Sequence, residues 1–154
     1  MIAVLQRVKR ASVTVDGKTV GECGQGLYVL LGVSREDSER DAEALAEKIV
    51  NLRIFTDENG KMNYSLIDIG GELLVVSNFT LLASYRRGKR PDYMGAAAPD
   101  EANRLYKYFT ECCARSVKRV GTGEFGAHMI TDMQTDGPVT IVMDSKELFK
   151  PKNS

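Results

Sequence analysis

The stretch from 71 to 82, GELLVVSNFTLL, limits the possible folds more than any other part of this chain. Leu73 to Val76 is an unbroken apolar run with β-branched residues, the pattern of a strand buried on both faces. It ends in Ser77, Asn78, Phe79 and Thr80, which place two hydroxyls and an amide at the end of a buried element. These residues have two readings. They can cap the strand and start a turn, or they can form a site, because rigid strand ends commonly carry one. The residues alone leave both open.

The preceding segments predict short strands. Residues 2–8 are largely apolar. In 12–15, Val13 and Val15 alternate with Ser12 and Thr14, a period of two. Asp16-Gly17 is a hairpin signal, with 18–22 as the return strand. Gly24 and Gly26 bracket a further turn before the apolar run 27–31. The period then changes. In 38–52, Ala42, Leu45, Ala46, Ile49 and Leu52 share one helical face, with Ser34 or Asp37 as the expected cap. Residues 57–60, Asp-Glu-Asn-Gly, form a turn. A second helix is predicted over 99–117. Pro99 sits in its first turn, and Ala102, Leu105, Tyr106, Phe109, Cys112, Cys113 and Val117 form its apolar stripe. Glycines 121, 123 and 126 mark a flexible turn. Two final strands are expected at 129–133 and 139–143, with Thr135 to Pro138 between or within them. Pro138 is expected at an edge, a strand start or a turn, because proline cannot donate to a ladder. The charged tail, 145–154, is expected to fray. The order of strands and helices predicts one α+β domain over 1–154, with two amphipathic helices packed on mixed, largely antiparallel sheets.

Charge gives no global clue. Lys plus Arg and Asp plus Glu both number 21, for a net charge of 0, so any nucleic-acid partner must meet a local patch. One such patch lies in 84–99, the longest stretch without periodicity. It holds Arg86, Arg87, Lys89 and Arg90, broken only by Gly88 and flanked by Tyr85 and Tyr93. It reads either as a solvated loop or as a phosphate-binding loop with tyrosines for stacking. The three cysteines, Cys23, Cys112 and Cys113, show no zinc spacing. Cys112 and Cys113 suit packing on a helix face in a reducing compartment. Arg7, Lys9 and Arg10 interrupt any N-terminal apolar region, and no run approaches the length of a membrane span. These features predict a cytoplasmic protein with no metal and no cofactor. His128 is the only histidine, and there is no GxSxG elbow, so a Ser–His–Asp triad has little to build on.

Five segments occur in order: MIAVLQRVKRASVTVDG, LLVVSNFTL, KRPDY, TGEFGAHM and TDGPVT. Together they resemble the D-aminoacyl-tRNA deacylase family over nearly the whole chain. The family's usual Ser-Gln-x-Thr is Ser77-Asn78-Phe79-Thr80 here, and its usual Asn before Gly-Pro is Thr135. The resemblance implies a β/β/α layered homodimer with active sites at the interface. Such an enzyme hydrolyses the ester joining a D-amino acid, or glycine mischarged on tRNA(Ala), to the terminal adenosine of tRNA, as proofreading in translation. It assigns Ser77, Phe79 and Thr80 to the adenosine and the scissile ester, with backbone N–H groups near Phe79 and Thr80 as oxyanion donors. Asn78 would contact the adenosine. Gly137 and Pro138, joined by a cis bond, would enter the partner subunit's pocket and select chirality. Arg7 would brace that motif and Met129 would pack nearby. The 2′-hydroxyl of the terminal ribose would assist. Two other classes stand beside this one: an RNA-binding module without turnover that uses Arg86 to Arg90, and a small-molecule serine esterase that uses Ser77.

Overall fold

The computed structural model describes residues 1–153 and has an α+β architecture. The first strand, β1 (Ile2–Val15), is one continuous element rather than two. Asp16 and Gly17, at φ 50° and 77°, turn it into β2 (Lys18–Cys23), the conformation that the tightest hairpins require. β2 leads into β3 (Gly26–Gly32). The β1–β3 register, with Val8 opposite Gly26, continues unbroken into β1–β2, with Ala11 opposite Cys23. β2 and β3 thus act as two halves of one long strand beside β1.

Next come α1 (Glu39–Asn51), the small hairpin β4 (Phe55–Thr56) and β5 (Met62–Tyr64), and β6 (Glu72–Ser77). α2 (Pro99–Ala114) precedes β7 (Val120–Thr122). β6 lies parallel to β3 and to β7, and each parallel step is bridged by a helix, as parallel neighbours require. The other pairings are antiparallel. α2 starts at Pro99 as expected but ends at Ala114, short of 117. The cap of α1 is Ser38, whose N–H donates to Asp41 Oδ2 at 2.9 Å, rather than Ser34 or Asp37. Asp37 instead accepts from the Ser34 N–H at 2.7 Å.

The sheet explains why the run in β6 is unbroken. Leu73 and Val75 face a core shared with Leu27, Val29 and Leu31 of β3, Leu45 and Ile49 of α1, and Leu105 and Phe109 of α2. Leu74 and Val76 face the other way, into a second core with Val8, Ala11, Val13, Cys23 and Tyr28. One face of β6 therefore meets helices, and the other meets the part of the sheet that coils over it. A Cβ added to Gly21 of β2 would come within 2.0 Å of the Thr122 carbonyl oxygen of β7, so the two strands are in close contact. Burying each such side chain contributes about 1.5–3 kcal/mol.

The C-terminal part departs from expectation in two ways. The two short strands predicted at 129–133 and 139–143 are one strand, β8 (Ile130–Asp144), laid along the free edge of β1. Fourteen consecutive residues of β1 offer a continuous row of backbone partners, so nothing requires β8 to stop. The ladder instead absorbs Gly137-Pro138 as a bulge. Between Gln6 and Val8, two steps of β1, β8 advances five steps, from Thr140 to Thr135. The tail over 145–154 does not begin frayed. α3 (Ser145–Leu148) follows β8 directly, and Ser145 is fully buried. Its Oγ accepts from the Met1 ammonium at 2.8 Å and donates to Asp41 Oδ1 at 2.7 Å, and Met1 also donates to Asp37 at 2.7 Å. Ser154 lies outside the described residues. No described helix is long and apolar enough to cross a membrane.

Candidate active site

β6 delivers its last residue, Ser77, beside Leu31 at the end of β3. The Asn78 N–H donates to the Leu31 carbonyl at 2.8 Å, after which the chain tightens into a 3₁₀ turn, Phe79–Leu82. Asn78 caps that turn. Its Oδ1 accepts from the Thr80 N–H at 3.1 Å and from the Thr80 hydroxyl. The segment is thus a capped turn, and it stands at the mouth of a cavity. The cap also occupies the Thr80 N–H, one of the two expected oxyanion donors. The Phe79 N–H heads the turn, where helix geometry supplies no acceptor. The Phe79 ring is 56 % exposed and meets Tyr93 edge-on, with centroids 5.0 Å apart at 78°.

The cavity has a volume of about 690 Å³. Leu31, Val76 and Tyr28 come from the sheet, Ala102 and Tyr106 from α2, Phe79 and Tyr93 from the mouth, and Phe125 to Met129 from the glycine-flanked turn. Tyr28 Oη and Thr131 Oγ1 are hydrogen-bonded at 3.1 Å. The Tyr106 hydroxyl donates to the Val75 carbonyl at 2.7 Å, anchoring α2 to β6 two residues before Ser77. Burial pushes the Tyr106 phenol up to about 12. Burial also raises that of Tyr28, partly offset by the bond to Thr131. Both phenols are therefore neutral at pH 7 and serve as hydrogen-bonding groups rather than bases. Among the described residues, no Asp or Glu lines the cavity. His128 lies on its wall, and among the described residues no hydrogen bond joins it to Ser77. No group of three or more His, Cys, Asp or Glu stands close enough to hold a metal among the described residues. Burial raises the Cys23 and Cys113 thiols to about 11 and 12, which leaves them protonated and unreactive.

The expected site residues fall into three places. Ser77, Asn78, Phe79 and Met129 line the cavity, with Thr80 bonded behind them. Arg7, Gly137 and Pro138 do not line it. They meet at the β8 bulge, where the Gly137–Pro138 bond is cis. Arg7 Nε donates to the Asp136 carbonyl at 2.9 Å, and its guanidinium also reaches the Ile54 carbonyl at 2.8 Å. The Asp136 carboxylate stands 3.4 Å from Arg7 Nε. Arg7 thus fixes the residue before Gly137. A Cβ on Gly137 would lie 2.0 Å from the Val139 nitrogen, so the bulge admits only glycine there.

The third place is the basic loop. Ser84 and Asp92 exchange two backbone hydrogen bonds, of 2.8 and 2.9 Å, closing a neck. Above it Arg86, Arg87, Lys89 and Arg90 are all exposed. Among the described residues, none of the four makes an ion pair, as is true of most cations in the chain. Tyr28 and Thr131 line the cavity without having stood out in the sequence. Tyr28 is hidden inside an apolar run, and Thr131 reaches it only because β8 lies along β1. A signal is present in the alternation of 27–31, which puts Tyr28 on the same side as Val76.

Comparison with known proteins gives a consistent result. Residues 4–144 match the family described as D-Tyr-tRNA(Tyr) deacylase. A D-aminoacyl-tRNA deacylase of Thermosipho africanus is 57% identical over 149 residues, 97% of this chain and 100% of the relative. One from Dehalococcoides mccartyi is 55% identical over 152 residues, 99% of each chain. A solved structure described as a c-Myc DNA unwinding element binding protein superposes with a TM-score of 0.88 at 42% identity, covering 94% of this chain and 98% of that one. Another, described as a probable eukaryotic D-amino acid tRNA deacylase, gives a TM-score of 0.79 at 17% identity and covers 92% of this chain and 97% of that one, a likeness of fold.

Proposed function

The chain belongs to the D-Tyr-tRNA(Tyr) deacylase family, and from that premise we propose that it hydrolyses the ester joining a D-amino acid to the terminal adenosine of tRNA, releasing free amino acid and tRNA. The observation that carries this reading is the Ser77–Thr80 turn at the mouth of a cavity lined by no described carboxylate. The apolar walls suit an adenine ring, and the mouth suits the ribose ester. The Phe79 N–H would donate to the ester oxygen as negative charge develops on it. Water attacks the carbonyl carbon directly, and the C–O bond to the ribose breaks. The ribose oxygen leaves with a proton, relayed through the neighbouring 2′-hydroxyl. Ser77 and Thr80 position the ester and form no acyl-enzyme, because a serine nucleophile needs an adjacent base and none among the described residues is bonded to Ser77.

Chiral selection is the second half of the proposal. Gly137 and Pro138 would enter the cavity of a second copy, where their backbone carbonyls accept hydrogen bonds from the substrate ammonium. Two features support a homodimer. The bulge projects from β8, whose outer edge pairs with no described strand, and Val142 on that strand is 71 % exposed. With the ammonium and the ester both held, an L-side chain would meet backbone while a D-side chain would point to solvent. Glycine has nothing to collide, so glycyl-tRNA(Ala) would pass. This is proofreading in translation, and a cytoplasmic location belongs to the same proposal.

The test is incubation with matched D- and L-tyrosyl-tRNA and with glycyl-tRNA(Ala). Release of D-tyrosine and glycine, with L-tyrosyl-tRNA left intact, is the expected result. Equal hydrolysis of the two tyrosyl esters would remove the chiral role. Binding without release would favour an RNA-binding module, and a covalent adduct on Ser77 would favour a serine esterase.

A further inference from the structure

One segment gathers features that folding does not require. Phe79, Tyr85, Tyr93 and Met94 are all exposed large apolar side chains within residues 79–94, and Tyr85 is 83 % exposed. Four exposed cations, Arg86, Arg87, Lys89 and Arg90, lie within five residues of the same segment. The two features share one piece of backbone. Tyr93 lines the cavity beside Ser77, while its neighbours Asp92 and Met94 line another of about 460 Å³ with Ser84, Arg86 and Arg87. A strand with its terminal adenosine in the first cavity therefore meets Tyr93 next, and then the basic loop.

Resting on the deacylase reading above, we infer that residues 79–94 guide the unpaired CCA end of the tRNA, with Tyr85 stacking on a base and Arg86, Arg87, Lys89 and Arg90 holding its phosphates. One observation favours a single strand over the duplex stem, and two more suit the loop to binding a phosphate chain. An exposed ring needs an unstacked base, which a duplex does not offer. The loop tip, Tyr85 to Pro91, contains no carboxylate, so nothing on it repels a phosphate. The neck between Ser84 and Asp92 and the turn at Gly88, with φ 66°, hold the tip in place.

The test uses three D-tyrosyl esters, of adenosine, of a CCA trinucleotide and of whole tRNA. The enzymes are wild type, Tyr85→Ala, and the combined Arg86→Ala, Arg87→Ala, Lys89→Ala and Arg90→Ala variant. All five positions are exposed, and thermal unfolding checks that each variant remains folded. Tyr85→Ala is expected to raise KM roughly tenfold for both the trinucleotide and tRNA, and to leave kcat and the adenosine ester unchanged. The combined variant is expected to lower the salt slope on the same two substrates by about 0.7 for each phosphate no longer neutralised. A penalty on tRNA that vanishes on the trinucleotide would assign the loop to the duplex stem and overturn the inference. So would an unchanged KM on all three esters. If wild type hydrolyses no D-tyrosyl-tRNA, the deacylase reading itself fails, which is a separate outcome.

Discussion

Charged and polar groups serve opposite purposes at two places in this molecule. In the corner where the start of β1, α1 and α3 meet, Asp37, Asp41, Ser145 and the Met1 ammonium are buried and bonded to one another. At the rim of the cavity, Arg86, Arg87, Lys89 and Arg90 are exposed and, among the described residues, free of ion pairs. A buried polar group without a partner is costly, so the corner must be fully satisfied for the chain to fold. A solvated cation carries no such requirement and stays available for an outside phosphate. Saturated buried polar groups mark structure, and four solvated cations gathered within five residues mark a candidate site.

The largest test of that contrast is Asp41→Ala. It strips the bonds that Asp41 accepts from Ser145 Oγ and the Ser38 N–H, and leaves buried donors behind. Stability should fall by about 3 kcal/mol, read by urea unfolding, while kcat/KM per folded molecule stays unchanged. A comparable loss of turnover would show that the corner is coupled to the site.

Tyr106→Phe probes the boundary between the two regimes, because its hydroxyl is buried like the corner yet belongs to the cavity wall. Losing the donor to the Val75 carbonyl should cost about 1–2 kcal/mol of stability. Because that bond anchors β6 just before Ser77, KM for D-aminoacyl-tRNA should rise as well. A pure stability effect would make Tyr106 a packing residue only.

The acid limb of stability gives a third test. Burial alone would raise the Asp41 carboxyl, but hydrogen bonds from Ser145 and Ser38, aided by the N-terminal ammonium, outweigh it and hold it below its ordinary 3.8. A depressed carboxyl contributes stability that is complete above its unfolded value and is lost as pH falls through the folded one. Unfolding midpoints measured downward from pH 5 should therefore drop below about pH 4, and Asp41→Asn should flatten that limb. Parallel limbs in the two proteins would assign acid sensitivity elsewhere.

The smallest effect is expected at Ser77→Ala, within about 0.5 kcal/mol in stability, because Ser77 is only partly buried and no hydrogen bond to its side chain is described. Measurable turnover should persist if Ser77 only positions the ester. Complete loss of turnover with the fold intact would return Ser77 to the role of nucleophile.

Local chemistry determined much of this protein in the sequence itself. The unbroken run at Leu73 to Val76 required a strand covered on both sides, and β6 is one. Pro99 fixed the start of α2, and Asp16-Gly17 fixed the first hairpin. The end of α1 was legible to within a residue, but its cap was not, because Ser34, Asp37 and Ser38 all carry capping chemistry and only the fold selects Ser38. The Ser77–Thr80 segment was also legible as polar residues at a strand end. Non-local pairing was not legible. A period of two shows that a segment is a strand but not what lies beside it. β8 therefore appeared as two pieces, and Ser145 appeared as the start of a frayed tail. Only the tertiary structure laid β8 along the whole of β1, turned Gly137-Pro138 into a bulge held by Arg7, and brought Thr131 against Tyr28. Those contacts join residues more than 100 positions apart. The backbone partners that decide them are the same N–H and C=O groups at every position, so the side-chain pattern carries no record of which ones meet.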